Sequence, residues 1–258
     1  MNRTGLLIAI GVGVIGGLIL GIFPNIDLAF SRRFFDPVSK AFLVARDETA
    51  LVVRDGFVYV ITAIAAPAFI ALAVKLIFPR RPMLIPGRAV VFLIATLALA
   101  PGLVTNVILK DNWGRPRPYS VQEFAGTERF VPWWDPRGGC DKNCSFVAGE
   151  GAGAFWTLAP AAVTPPAWRA VAYAGALAFG AGVSSFRIAF GAHFLSDVIF
   201  AGIFTFLTIW LIHGLIYRWA ATRLTDAQVE RVIERIVLPA YETIERLFLR
   251  KPGAGERR

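Results

Sequence analysis

The chain has 258 residues, of which 56% are hydrophobic and only 17% charged, and its mean hydropathy is +0.58. Soluble domains carry about 25% charged residues, so this balance excludes a soluble globular fold and indicates an integral membrane protein. The formal net charge of +9 invites a nucleic-acid reading. The basic residues are scattered through loops without a stripe interleaved with aromatics, and nucleic acid is not an expected partner.

A bilayer core takes about 20 apolar residues per helix. Six runs meet that length, at 5–23, 57–78, 89–109, 146–164, 168–186 and 194–217, and predict an all-α bundle of six transmembrane helices. The first run exceeds the usual length of a signal-peptide core and no A-x-A-like cleavage site follows it, so it is read as a span. Its glycines, Gly13, Gly17 and Gly21, allow a neighbouring helix close approach. The connector with Arg80, Arg81 and Arg88 contains no acid, which places it and the N-terminus in the cytoplasm. Segments 24–55, 110–145 and 187–193 then face outward, and the polar chemistry of 110–150 and 187–197 emerges on one face. After the bundle domain, 1–217, comes a tail, 218–258. From Leu224 to Leu249 it has apolar residues at helical spacing (Val229, Val232, Ile233, Ile236), predicting an amphipathic helix on the cytoplasmic membrane surface, bent or ended at Pro239. A partner helix would be an alternative occupant of its apolar face. Residues Pro252 to Arg258 read as disordered.

Three segments at the ends of apolar runs carry the chemistry. His193 and Asp197 are four residues apart at the start of the last span, so on a helix they share a face. The carboxylate would then accept the imidazole Nδ1 proton and leave Nε2 free to attack. Arg187 lies six residues upstream, where ionisable groups are expensive and usually functional. Lys110 and Arg117 close the third span. Prolines stiffen Arg115-Pro-Arg117-Pro, so its guanidiniums suit bidentate contact with phosphate oxygens. Ala148-Gly149-Glu150-Gly151 opens the fourth span, where free backbone N–H groups favour an anion. Glu150 could carry a proton to a leaving group.

These residues resemble the type 2 phosphatidic acid phosphatase superfamily of membrane lipid phosphatases, over roughly residues 20–217. The family signature is Lys-x6-Arg-Pro, then Pro-Ser-Gly-His, then Ser-Arg-x5-His-x3-Asp. Lys110 to Arg117-Pro118 matches the first part, and Arg187, His193 and Asp197 match most of the third. The second part departs from the pattern as Val147-Ala148-Gly149-Glu150, and Phe186 stands where the family has serine. The resemblance implies a phosphomonoester or pyrophosphate of a membrane lipid gripped by Lys110, Arg117 and Arg187, with the Ala148 and Gly149 amides assisting. His193 would attack phosphorus, Asp197 would stabilise the imidazolium, and Glu150 would protonate the departing oxygen before water hydrolyses the phosphohistidine. No cofactor and no metal are implied. The site would lie on the outer, periplasmic side of the cytoplasmic (inner) membrane.

Other readings differ in class. A non-catalytic lipid-phosphate binder or transporter would fit the altered second part, and an oxyanion-cofactor oxidase would share the site plan but belongs to soluble proteins. Cys140 and Cys144 suit a disulfide in an oxidising compartment, or two free thiols otherwise. A zinc site with His193 and Glu150 would consume the nucleophile and lacks Cys-x2-Cys spacing. His213 is about 30 Å from His193 along one helix and has no catalytic role. The cluster Trp113, Phe130, Trp133 and Trp134 reads as an interfacial belt. Lipid A phosphate, phosphatidylglycerophosphate, phosphatidic acid and prenyl pyrophosphate are not distinguished by the sequence.

Overall fold

A computed structural model describes residues 1–248, so the expected disorder of Pro252 to Arg258 lies outside the described residues. The fold is all-α, with one two-stranded sheet. Helix α1 (Arg3–Ile22) starts at Asn2, whose side chain accepts the Gly5 N–H at 2.9 Å, satisfying a donor that has no intrahelical partner. A short α2 (Asn25–Arg32) follows, then strands β1 (Phe35–Asp36) and β2 (Ala41–Phe42), paired antiparallel. Asp47 caps the long α3 (Glu48–Ile77) in the same way, accepting from Ala50 at 2.8 Å. Helix α4 (Gly87–Leu97) widens into a π-helical stretch over Ala98–Leu109. Pro101 has no N–H to continue the ladder there, and Asn106 Nδ2 donates to the Pro101 carbonyl at 2.8 Å.

Among the described residues, five helical segments are long and apolar enough to cross a membrane: Arg3–Ile22, Glu48–Ile77, Gly87–Leu109, Pro166–Ala189 and Leu195–Arg218. Their exposed side chains include Leu7, Ile8, Ile15, Val52 and Ile70, as lipid-facing surfaces require. The expected fourth span at 146–164 is not one helix. It is α5 (Gly149–Phe155) and α6 (Leu158–Val163), broken at Trp156 and Thr157. Pro160 cannot donate to the Trp156 carbonyl and its ring would clash there. That carbonyl instead accepts from Ala159 at 2.8 Å, while the Thr157 hydroxyl turns back to Ala154. Together the pair extends about 22 Å. It carries the chain from the site end to α7 (Pro166–Ala189), which returns to the site. Ala152, Ala154, Trp156 and Ala159 are fully buried, so this run lies at the centre of the bundle.

Helix α8 (Leu195–His213) continues in π winding to Arg218, and α9 (Asp226–Phe248) forms the tail. The tail helix is anchored to the start of α4: Val229 is buried where it meets Gly87. Three members of the aromatic cluster are half-buried and pack on buried phenylalanines. Trp113 and Trp133 stack on Phe146, Phe130 packs on Phe194, and Trp134 is the exposed member. His213 stacks on Tyr217 beside Phe92, away from the site.

Candidate active site

The segment from Arg187 to Asp197 folds as two helix ends joined by a tight connector. Helix α7 closes in a Schellman arrangement, with Gly191 N–H donating to Ile188 (2.8 Å) and Ala192 N–H to Arg187 (3.1 Å). Gly191 takes φ +66, and a Cβ there would press into the Phe42 ring. Two residues later His193 leaves the turn pointing inward, and α8 begins. Asp197 sits in its first turn and accepts the Phe194 N–H at 2.8 Å. The five-residue gap between Arg187 and His193 is therefore the length of a glycine-capped helix end.

His193 is 2% exposed. Its Nδ1–H donates to the Ser145 carbonyl at 2.8 Å. A carbonyl only accepts, which fixes the tautomer and leaves the lone pair on Nε2. Burial, reinforced by the charges of Arg117, Arg187 and Lys110, pushes the imidazole well below its ordinary pKa, so the ring is neutral and nucleophilic at physiological pH.

The structure corrects the partner expected for that Nδ1. The nearest Asp197 oxygen is 3.9 Å away, and the carboxylate is bonded to the Ser145 hydroxyl and to Arg115 Nη1. Asp197 thus reaches His193 through Ser145, the residue that holds both. Arg115 turns inward rather than toward a phosphate. It is fully buried, pairs with Asp27 (2.8 Å) as well as Asp197, donates to Ser196 (2.7 Å) and the Val131 carbonyl (3.1 Å), and lies over the Phe194 ring. Asp27, from α2, is also fully buried and accepts from Ser196 N–H and hydroxyl. Two carboxylates around one guanidinium, each with further donors, satisfy the requirement for burying charge.

Two of the remaining cations, Lys110 and Arg117, share one acceptor. Lys110 Nζ donates to Asn143 Oδ1 at 3.2 Å, and Arg117 Nη2 reaches the same oxygen at 2.8 Å. Asn143 holds them together from the loop closed by the Cys140–Cys144 disulfide, whose backbone pairs with Lys110 and Arg115 through Cys144 and Ser145 N–H groups. Gly149 opens α5 directly against this pair, since a Cβ there would lie 3.0 Å from Lys110 Nζ and 2.8 Å from Asn106 Oδ1.

Burial first, then the charges of Arg117 and Arg187, push Lys110 down to about 8. Its ammonium is present below that pH and lost above it. Because kcat/KM reports the free enzyme, it is expected to fall above about pH 8, by roughly tenfold per unit where the charge is essential. Lys110→Arg should remove this alkaline limb in a pH profile.

Arg187 is 6% exposed and lies 3.4 Å from Glu150. Glu150 is held more firmly by Arg54 of α3, which donates from Nη2 at 2.8 Å and Nε at 3.1 Å. In this arrangement the carboxylate is an acceptor and aligns two guanidiniums at the site edge. The Ala148 N–H, expected to assist phosphate, is taken by the Asp197 backbone carbonyl at 3.2 Å. Gly149, first residue of α5, retains an N–H without an intrahelical acceptor. Among the described residues, no cluster of three or more His, Cys, Asp or Glu could hold a metal ion.

Sequence reasoning missed Asp27, Arg54, Asn143 and Ser145. Asp27 alone carried a signal, as an acid isolated within the apolar Ile22–Phe30 stretch; the others look like ordinary loop or helix-end residues.

A neutral buried imidazole with one nitrogen pinned, facing fixed cations at the end of a helical membrane bundle, defines a phosphate-handling enzyme. The chain belongs to the PAP2 superfamily, whose sequence model matches residues 89–221. It is 33% identical over 227 residues, 84% of its length and 98% of the relative's, to the lipid A 4'-phosphatase of Francisella tularensis subsp. novicida (strain U112). Over 106 residues, 41% of this chain and 46% of the relative, it is 40% identical to the lipid A 4'-phosphatase of Rhizobium leguminosarum. No solved structure matches the chain. This is a multi-pass membrane phosphatase.

Proposed function

We propose that the chain hydrolyses a phosphomonoester of a lipid A-type glycolipid through a phosphohistidine on His193. The substrate class rests on the names of the relatives, above all the one matched along 98% of its length. The observation carrying the mechanism is the pinned His193 Nδ1–H, which leaves Nε2 toward Lys110, Arg117 and Arg187. Those cations hold the phosphate oxygens, with the Gly149 N–H assisting, and stabilise charge as it builds on phosphorus. Nε2 attacks in line, the bond to the leaving oxygen breaks, and water then cleaves the phosphohistidine. Asp197 acts through Ser145, whose carbonyl takes the Nδ1 proton bond as the ring becomes cationic. The reaction uses no metal.

Glu150 takes a proton from water and passes it to the leaving oxygen once phosphate engages Arg187 and draws Arg54 away from the carboxylate. Glu150→Gln should then lower kcat by about 10²-fold with little change in KM; equal turnover at every pH would remove the role. The membrane is the cytoplasmic one, with the phosphate site on the outer side, where an oxidising compartment maintains Cys140–Cys144.

The test is phosphate release from lipid A by the purified protein in detergent, with and without chelator. Phosphatidic acid, phosphatidylglycerophosphate and prenyl pyrophosphate serve as competing substrates. Release from lipid A under both conditions is expected. Binding without release from any lipid would convert the reading to a lipid-phosphate binder.

A further inference from the structure

The end of the bundle far from His193 carries a second surface, built by α9, that the reaction does not use. Lys75 lies in the last turn of α3 and Arg88 in the first turn of α4, so both mark where spans leave the membrane. Helix α9 is fastened to these ends along its length. Asp226 pairs with Arg88 at 3.3 Å and accepts its N–H at 2.9 Å. Glu234 pairs with Lys75 at 2.6 Å and Glu230 with it at 3.5 Å, while Glu245 and Glu242 reach Arg80 at 3.0 and 3.9 Å. Lys75 is 1% exposed, and a lysine so buried at a span end requires its partners.

These contacts use every acidic side chain of α9. The basic ones are left over. Arg231, Arg235 and Arg246 are exposed and have no ion pair among the described residues. Beside them runs an apolar stripe that the bundle does not cover: Val232 at 56%, Ile236 at 72%, Ile244 at 56% and Leu247 at 70% exposure. At 100° per residue, positions 232, 236, 243, 244 and 247 fall on one face, and 231, 235 and 246 on the adjoining one. Four of the five acids occupy the remaining side, and the fifth, Glu242, shares the arginine sector and reaches Arg80 at 3.9 Å. Docking has therefore given a helix of mixed charge an acidic side paired with the span ends and an outer side that is apolar and net positive, with three arginines against the single Glu242.

We propose that α9 is a membrane-surface helix for anionic lipid, inserting Ile236 and its neighbours among headgroups while Arg231, Arg235 and Arg246 contact lipid phosphates. The ion pairs to Lys75 and Arg88 hold it at the depth where α3 and α4 emerge, which is the headgroup level. Apolar burial and attraction to anionic lipid act together on such a helix. A second copy of the chain would place three unpaired arginines against three more, a like-charge contact. This surface is independent of the phosphatase chemistry and its test reads no activity.

The full chain is reconstituted into phosphatidylcholine vesicles with or without phosphatidylglycerol, carrying an environment-sensitive fluorophore on Ile236→Cys or Leu247→Cys. Cys140 and Cys144 are bonded to each other and do not take the label. Quenching by lipid-borne doxyl groups and protection from aqueous iodide, both several-fold greater with phosphatidylglycerol, are expected. Replacing Arg231, Arg235 and Arg246 together with Gln should abolish that dependence while leaving the melting temperature unchanged. Equal iodide access in both bilayers would overturn the proposal. So would cross-linking between copies at position 236 that rises with protein density without doxyl quenching.

Discussion

His193→Ala is expected to abolish phosphate release, by roughly 10⁴-fold or more, while lipid-phosphate binding persists. The imidazole supplies the attacking nitrogen and its loss leaves Lys110, Arg117 and Arg187 in place. Binding therefore survives because affinity resides in the cations and turnover in the ring. The measurement pairs phosphate release with equilibrium binding of the phosphorylated lipid. Rapid quenching with radiolabelled substrate adds a direct readout: label on the wild-type protein that is stable to base and labile to acid, absent from the variant. Wild-type turnover without such label, or a variant retaining a tenth of the activity, would remove His193 as nucleophile.

Arg115→Met should destabilise the protein by about 3–5 kcal/mol, the range for removing one partner of a buried ion pair. The substitution leaves Asp27 and Asp197 facing each other, both fully buried, with no cation between them. Their repulsion acts on α2 and α8 together, so the loss should appear in thermal unfolding in detergent and as a displaced Ser145. Asp27→Asn is the milder companion: Asn keeps an acceptor for Ser196 and removes one of the two charges, so a smaller stability loss with activity largely retained is expected. If Arg115→Met melts like the wild type, the inward guanidinium is not what holds this end of the bundle.

Much of the frame was legible in the chain. Apolar runs of span length identify α1, α3, α4 with its π extension, α7 and α8, because the lipid phase imposes length and composition on any helix that crosses it. The fourth run differs in being interrupted and buried. It lies among other helices and Pro160 splits it, so length and hydropathy predict one continuous helix where the structure has two short ones. The amphipathic spacing of α9 was equally legible, but not that its acids would be paired one by one with Lys75, Arg80 and Arg88.

For the site, the sequence by itself determined the identity and spacing of Lys110, Arg117, Arg187, His193 and Asp197, since a helix end, a glycine cap and a helix start impose fixed local intervals. Tertiary structure alone decided their partners. It gave the His193 Nδ1 proton to the Ser145 carbonyl, turned Arg115 inward to Asp27 across 88 residues of sequence, and joined Glu150 to Arg54 across 96. Local spacing fixes which side chains share a turn, whereas buried charge is satisfied by whichever opposite group the packed helices bring within bonding distance, and no interval in the chain records that choice.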